Sequence, residues 1–327
     1  MNKKLGYAIA LLIALAAPFV GYPVFLMKLL CFALFACAFN LLIGYTGLLS
    51  FGHAAFLGTA GYVTGHALGV LGLPFEAGIV LGVLAAALLG LVMGLLAIRR
   101  QGIYFAMITL ALAQMVYFAA LRLPFTHGED GLQGVPRGKL LGVVDLSNDL
   151  AMYYVVLAIF VAGFALIVRT VHSPFGQVLK AIRENEPRAV SLGYDVDKYK
   201  LLAFVLSAAL AGLAGATKTV VLGFETLTDV HWTLSGLVIL MTLVGGMGTL
   251  AGPILGAFLI VALENKLGDW GTLLAGLTGI DWFSTLGESV GIVTGLIFVA
   301  CVLLFRRGIV GEIGAAWAAS SRRRRPS

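Results

Sequence analysis

Residues 40–53, which read NLLIGYTGLLSFGH, place glycines and hydroxyl groups between two long apolar runs. In a bilayer the backbone can leave the helix only where protein or a cavity satisfies its polar groups, so this stretch predicts a helix break. The half-helix that resumes after the break would present free N–H groups, which transporters use to hold anionic groups such as a carboxylate. The residues predicted to line a translocation path are Asn40, Gly44, Thr46, Gly47, Ser50, Gly52 and His53.

The glycines of this stretch have a second interpretation. Glycines also allow neighbouring membrane helices to approach closely, and packing alone would account for them. At the level of the sequence the two interpretations stay open. His53 fits a hydrogen-bonded structural residue better than a proton relay.

A second glycine-rich stretch, GGMGTLAGP at 245–253, follows the eighth apolar run as the first stretch follows the second run. Both stretches are predicted toward the cytoplasmic side, on helices that run in the same direction. Gly245, Gly246 and Gly248 are therefore predicted to line the path as well.

Groups that could carry out a reaction are scarce in the apolar runs. No carboxylate pair, metal-ligand cluster or Ser/His/Asp set occurs at membrane depth, so the sequence predicts no catalytic residues, metal or cofactor. The ionisable residues lie near the ends of runs, and Lys218 lies toward the outer end of its helix. An ion-driven carrier usually keeps a buried carboxylate in mid-membrane. The apolar runs of this chain contain no such carboxylate, which disfavours an ion-driven carrier and indicates an energy source outside the chain. An ion-coupled secondary transporter of a small solute is the alternative function.

The composition identifies the class of protein. The chain of 327 residues is 60% hydrophobic and 12% charged, whereas soluble domains are about a quarter charged. It is predicted to be an all-α polytopic membrane protein with about ten transmembrane helices and discontinuous segments, forming a single transmembrane domain over 1–327. The apolar runs lie at about 5–22, 24–43, 47–71, 74–97, 102–122, 150–168, 201–223, 232–247, 249–266 and 288–305.

The positive charge fits this threading. The net charge of +6 resides in clusters at the edges of apolar runs, as expected for cytoplasmic ends, and does not favour nucleic acid as a partner. With both termini in the cytoplasm, ten crossings put every basic cluster on that side. The same threading makes 306–327 a basic cytoplasmic tail and puts 123–149 and 267–287 outside.

The segment from Ser173 to Tyr194 predicts an ordered cytoplasmic helix pair within a loop of residues 170–200. Ser173 and Pro174 form a helix start, and Phe175, Val178, Leu179 and Ile182 then share one face. Pro187 begins a second short helix that Gly193 can close. Such a pair is typical of a docking lever for a partner protein, although an ordinary interfacial loop is the simpler alternative.

Three stretches resemble one family, the ABC-importer permeases for branched-chain amino acids, in particular the LivM-type subunit. They are AIRENEPRAVSLGYDVDKYKLLAFVLSAALAGLAG (181–215), FNLLIGYTGLLSFGHAAFLGTAGY (39–62) and GGMGTLAGPILGA (245–257). The chain departs from the general importer signature, because Pro187 and Arg188 replace its Glu-Ala start while Ala189 and Gly193 fit. With the helix pair, the resemblance predicts ATPase-coupling residues Lys180, Arg183, Glu184, Glu186, Arg188, Ala189 and Gly193.

The resemblance implies a function and a set of partners. The chain would be a permease subunit in the bacterial inner membrane, paired with a second homologous permease, two cytoplasmic ATP-binding subunits and a periplasmic substrate-binding protein. The complex would import leucine, isoleucine and valine on ATP hydrolysis. Similar subfamilies carry urea, short amides or aromatic acids.

Overall fold

The computed structural model describes residues 11–278, 290–304 and 308–312 of the chain. Residues 11–16 are helical and lead into a short 3-10 turn at Ala17–Phe19. The helices that follow are α1 (Pro23–Thr46), α2 (His53–Gly69), α3 (Phe75–Ala97), α4 (Ile103–Arg122), α5 (Asp149–His172), α6 (Pro174–Glu184), α7 (Glu186–Ser191), α8 (Val196–Leu222), α9 (Trp232–Gly245), α10 (Gly252–Thr278) and α11 (Val290–Leu304).

Five helices of the described part are long and apolar enough to cross a bilayer, namely α1, α3, α4, α5 and α8. They coincide with predicted runs, and their lengths of 20 to 27 residues match the hydrocarbon thickness. The count of about ten crossings stays a prediction. The runs at 5–22 and 288–305 and the tail at 306–327 lie partly outside the described residues.

Two runs differ from the prediction. The run at 47–71 becomes helical only at His53, because a glycine-containing connection precedes it. The run at 249–266 continues as helix α10 to Thr278, although 267–287 was predicted as an outer loop. Residues 267–278 contain a single charge and keep the apolar character of the run, so nothing in them ends the helix.

The chain divides into two compact units, Met1–Gly236 and Leu237–Ser327. In the first unit α8 is the central helix and packs against α1, α2 and α3, while α5 packs against α1. The most apolar stretch of α1 is 83% buried and that of α8 is 67% buried, against about a third for α3, α4 and α5. Helices α1 and α8 therefore lie in the core together with α2, most of whose residues are buried, and α3, α4 and α5 expose apolar faces.

Small residues allow α8 to approach its neighbours closely. A Cβ atom at Gly215 would lie 2.1 Å from the carbonyl oxygen of Leu57 on α2. One at Gly90 of α3 would lie 2.4 Å from Ala208 on α8. These are the backbone approaches that small residues permit in membranes.

The connections carry four two-residue strands, which the all-α prediction did not include. Strand β1 (Leu132–Gln133) pairs antiparallel with β4 (Phe224–Glu225), and β2 (Lys139–Leu140) pairs antiparallel with β3 (Val144–Asp145). The β1–β4 pair ties the α4–α5 connection to the α8–α9 connection. The loops at this end are therefore ordered relative to the helices.

A buried charge cluster fixes the same end of α8. The Lys218 ammonium lies 2.6 Å from Asp229 Oδ1 and 3.4 Å from Glu225 Oε2. The Thr219 hydroxyl also donates to Glu225 Oε2, at 2.6 Å. Lys218 and Glu225 are buried, so this cluster holds the α8–α9 connection to the helix. The sequence located Lys218 but did not identify its partners.

We predict that Lys218→Met lowers the stability of the folded chain by about 3–5 kcal/mol, because it leaves two buried carboxylates without their counter-ion. The measurement is the thermal unfolding midpoint of the purified chain in detergent. The matched control is Lys198→Met, whose exposed pair with Asp195 should contribute no more than about 1 kcal/mol. Equal shifts for the two variants would contradict a stabilising role for the buried cluster.

Candidate functional site

The predicted break between α1 and α2 is present. Helix α1 ends at Thr46, Gly47 adopts a left-handed conformation with a φ of 78°, and α2 begins at His53. A left-handed residue is the usual way to end a helix, and glycine adopts this conformation without steric cost. Residues 48–52 form the connection, which we name the α1–α2 break.

Hydroxyl groups accept three N–H groups in the α1–α2 break and at the start of α2. The Phe51 N–H donates to Thr109 Oγ1 at 3.1 Å, the Gly52 N–H to Ser50 Oγ at 3.1 Å, and the Ala54 N–H to Ser235 Oγ at 2.9 Å. The expectation of free N–H groups is therefore wrong for these three groups, which side-chain hydroxyls accept. Thr109 and Ser235 come from α4 and α9, and no local sequence pattern indicated their role.

His53 is a structural residue at the start of α2. Its Nε2 lies 2.8 Å from Ser207 Oγ, and that hydroxyl donates its hydrogen to the Ala38 carbonyl at 2.6 Å. Because Ser207 uses its only hydrogen there, His53 Nε2 must be the donor in their bond. Phe39 and Phe56 pack edge-on against the imidazole ring. This hydrogen-bond chain joins α2 to α8 and α1.

The other predicted path residues before the break lie on the last turns of α1. Asn40 and Thr46 are buried, and the Thr46 hydroxyl donates to the Leu41 carbonyl at 3.2 Å. The Gly44 carbonyl accepts a hydrogen bond from the Arg183 guanidinium of α6. The structure thus brings Gly44 and Gly47 next to the predicted coupling segment.

The second glycine stretch forms a tight turn between α9 and α10. Gly246 and Gly248 have φ values of 118° and 77°, which side chains rarely adopt. A Cβ atom at Gly245 would lie 1.9 Å from the Gly252 carbonyl oxygen. The Thr249 hydroxyl closes the turn by donating to the Gly246 carbonyl at 2.8 Å. Close backbone approach is a sufficient reason for these glycines.

The predicted helix pair is present as α6 and α7. Ser173 Oγ accepts the Gly176 N–H, and Asn185 Oδ1 accepts the Arg188 N–H, so a side chain caps each start. The left-handed Gly193, with a φ of 87°, follows the second helix. Ile182, Ala189 and Val196 form the small apolar core of this segment.

One face of the α6–α7 pair packs against the rest of the chain. Arg183 caps the carbonyl end of α1, where a cation also interacts favourably with the helix dipole. Glu186 Oε1 accepts hydrogen bonds from Lys200 of α8 at 2.6 Å and from Gln101 at 2.7 Å. Ala189 is buried, and the Lys180 ammonium lies 5.8 Å from the ring centroid of Tyr45. These four predicted coupling residues contact the chain itself.

The opposite face is exposed. Glu184, Arg188 and Gly193 are the predicted coupling residues that lie there. Val190 is 58% exposed and Leu192 is 68% exposed, and Tyr194 is exposed beside them. We name Val190, Leu192 and Tyr194 the outer apolar face. The helical pattern of α6 could not predict this face, because Val190 lies on α7 and Leu192 and Tyr194 follow its end. These apolar residues in a charged segment were the sequence feature that could have indicated it.

Over most of its length the chain matches a known protein family. The family model described as "Branched-chain amino acid transport system / permease component" matches residues 22–302. The high-affinity branched-chain amino acid transport system permease protein LivM of Salmonella typhimurium is 27% identical over 296 residues, covering 83% of this chain and 70% of that protein.

Relatives with other names are also similar. The autoinducer 2 import system permease protein LsrC of Klebsiella pneumoniae is 29% identical, covering 58% of this chain and 57% of that protein. The ribose import permease protein RbsC of Bacillus subtilis is 28% identical, covering 60% and 58%. The family match spans most of the chain, and the apolar helices fit a multi-pass membrane protein. The chain therefore belongs to the family of branched-chain amino acid transport permeases, and it is a membrane subunit of an ABC importer rather than an enzyme.

Proposed function

We propose that this chain is one of two homologous permeases of an ATP-driven importer of branched-chain amino acids in the bacterial inner membrane. Its further partners would be two cytoplasmic ATP-binding subunits and a periplasmic substrate-binding protein. The similarity to LivM over 83% of the chain carries this proposal. Relatives named for autoinducer 2 and ribose are also similar. The broader form of the proposal is therefore that the importer carries a related small polar solute such as urea, an amide or an aromatic acid.

The proposed topology has ten crossings with both termini in the cytoplasm. It is supported by the five apolar helices and by basic clusters at the edges of the apolar runs. In this arrangement 170–200 is the cytoplasmic coupling loop and 123–149 is the outer loop. The charged residues of the outer loop would contact the binding protein.

The coupling loop would dock on an ATPase through its outer apolar face, together with Arg188. A cytoplasmic surface has no lipid to cover Val190 and Leu192, so their exposure supports a protein partner. A displacement of the loop by the ATPase would reach the membrane helices through the face that contacts the rest of the chain. Arg183 connects it to the end of α1, and Glu186 connects it to α8.

The α1–α2 break would line the translocation path. The hydroxyls of Ser50, Thr109 and Ser235 now accept hydrogen bonds from three N–H groups. If these hydroxyls moved away, the same N–H groups would donate to a substrate carboxylate. Arg183 reaches the Gly44 carbonyl just before the break, so displacement of α6 would act directly on this region. Gly245, Gly246 and Gly248 would line the path as the second glycine stretch.

We expect uptake to require ATP. The affinity-tagged chain should co-purify with a second permease and two ATPases. Vesicles holding this complex should take up radiolabelled leucine when ATP and the binding protein are present, and an ionophore should not abolish uptake. Uptake that an ionophore abolishes and ATP does not affect would instead support the ion-coupled secondary transporter. Competition by urea, amides and ribose would then define the substrate class.

Leu192→Asp should abolish co-purification of the ATPases, because it puts a charge in the centre of the outer apolar face. The side chain is exposed, so the permease itself should keep its unfolding temperature. Gln177→Asp on α6 is the matched control, since Gln177 is also exposed and lies away from that face. ATPase recovery that survives Leu192→Asp would refute this docking surface.

Gly47→Val should reduce uptake while the complex still assembles. Valine is strained at a φ of 78°, and its Cβ would lie 3.2 Å from Arg183 Cγ. Gly72→Val is the matched control, because Gly72 has a φ of 62° and open space around it. Ser50→Ala, which removes the Gly52 N–H acceptor and almost no volume, should also reduce uptake.

The packing interpretation of the same glycines makes the opposite prediction. It expects assembly to fail together with uptake in Gly47→Val, and near-normal uptake in Ser50→Ala. Recovery of the second permease by affinity purification and uptake in vesicles distinguish the two.

A further inference from the structure

The connection between α4 and α5 contains a β-hairpin whose end is apolar. Lys139 pairs with Asp145 and Leu140 with Val144, so residues 141–143 form the loop. Leu141 is 78% exposed and Val143 is 84% exposed. We name residues 140–144 the hairpin tip. Its sequence, LLGVV, contains no polar side chain.

Leu141, in the loop of the tip, has a backbone conformation that is unusual for leucine. Leu141 has a φ of 49°, in the left-handed region where glycine or asparagine is the common choice. A leucine there costs about 1 kcal/mol or more relative to glycine. The tip thus holds an exposed apolar side chain in a conformation that a polar or small residue would adopt more easily.

The base of the hairpin has the opposite character. Lys139 and Asp145 lie opposite each other at the ends of the two strands, and hydrogen bonds from Ser147 hold the pKa of Asp145 below its usual range. Leu146 is buried beside them, and its N–H donates to the Gly138 carbonyl at 3.3 Å. The hairpin is therefore anchored and charged at its base and apolar only at its tip.

The hairpin tip lies at the beginning of α3. The Leu141 N–H donates to Glu76 Oε1 at 2.5 Å, and Glu76 belongs to the first turn of that helix. Val80, Leu84 and Leu88 follow at helical spacing, and all three are exposed. Helix α3 is one of the five helices that can cross a bilayer, so a lipid-facing position fits this apolar stripe. The tip extends the stripe at its outer end.

We infer that the hairpin tip is an interfacial anchor that inserts Leu141 and Val143 into the headgroup–acyl boundary of the bilayer beside α3. Lipid is the occupant that the continuity with the α3 stripe favours. The charge distribution agrees, since Lys139 and Asp145 would stay in the aqueous layer while apolar residues enter the boundary. Such an anchor would hold the α4–α5 connection level with the membrane surface. The inference depends on the membrane placement of α3 and not on the substrate or the energy source.

The test uses the full chain in nanodiscs, with an environment-sensitive fluorophore on Val143→Cys. Cys301→Ser removes one native thiol, and Cys31 and Cys37 are buried. The matched control carries the label on Glu129→Cys, an exposed position in the charged part of the same connection. Quenching is measured with doxyl-labelled lipid and with aqueous iodide.

We expect doxyl lipid to quench the Val143 label several-fold more strongly than the Glu129 label, and iodide to show the reverse order. Equal access of iodide to both labels would overturn the inference. So would a Val143 label that doxyl lipid does not reach and that only added substrate-binding protein shields, because the tip would then be a protein-docking surface. Neither outcome bears on ATP-driven uptake, which is measured separately.

Discussion

The need to satisfy backbone polar groups away from water governs this molecule. The α1–α2 break leaves helical geometry inside an apolar protein, and hydroxyl groups accept N–H groups there: Ser50 from within the break, and Thr109 and Ser235 from other helices. The bonds tie the start of α2 to α4 through Thr109 and to α9 through Ser235. The His53–Ser207–Ala38 chain adds α8 and α1. A short irregular connection thereby becomes the point at which five helices are held together.

The same constraint joins the α6–α7 pair, the predicted coupling segment, to the helices around the break. The carbonyl end of α1 also has unsatisfied groups, and Arg183 of α6 supplies a donor to one of them. Lys200 on α8 is almost fully buried, and Glu186 of α7 supplies its counter-charge. Because an unpaired buried charge is costly, α7 is held firmly to the central helix. A force applied to the exposed side of the segment would therefore reach α1 and α8 rather than be absorbed in a loop.

At the opposite end of α8 a buried charge is again paired, by different groups. Lys218 lies in an otherwise apolar helix, and Glu225 and Asp229 from the next connection are its partners. Gly61 of α2 leaves room for the Glu225 carboxylate, which a Cβ atom there would meet at 2.4 Å. The strand pair β1–β4 lies at the same place, so the α4–α5 connection is ordered through it.

The sequence by itself determined the class of the protein, the five long apolar helices and the helix pair at 174–191. These features depend on local pattern: apolar length, a Ser-Pro start, a Pro restart and a closing glycine. It also located the α1–α2 break, because Gly47 and Gly52 interrupt an apolar run at one point of the chain.

Only the tertiary structure decided which groups meet there. Thr109, Ser207 and Ser235 are separated from the break by about 60 to 180 residues, and a lone hydroxyl in an apolar helix carries no local sign of its partner. The same holds for the division of the predicted coupling residues into those that contact the rest of the chain and those that do not. Arg183 and Arg188 are both exposed arginines, and only the packing of α6 on α1 makes Arg183 a cap of that helix.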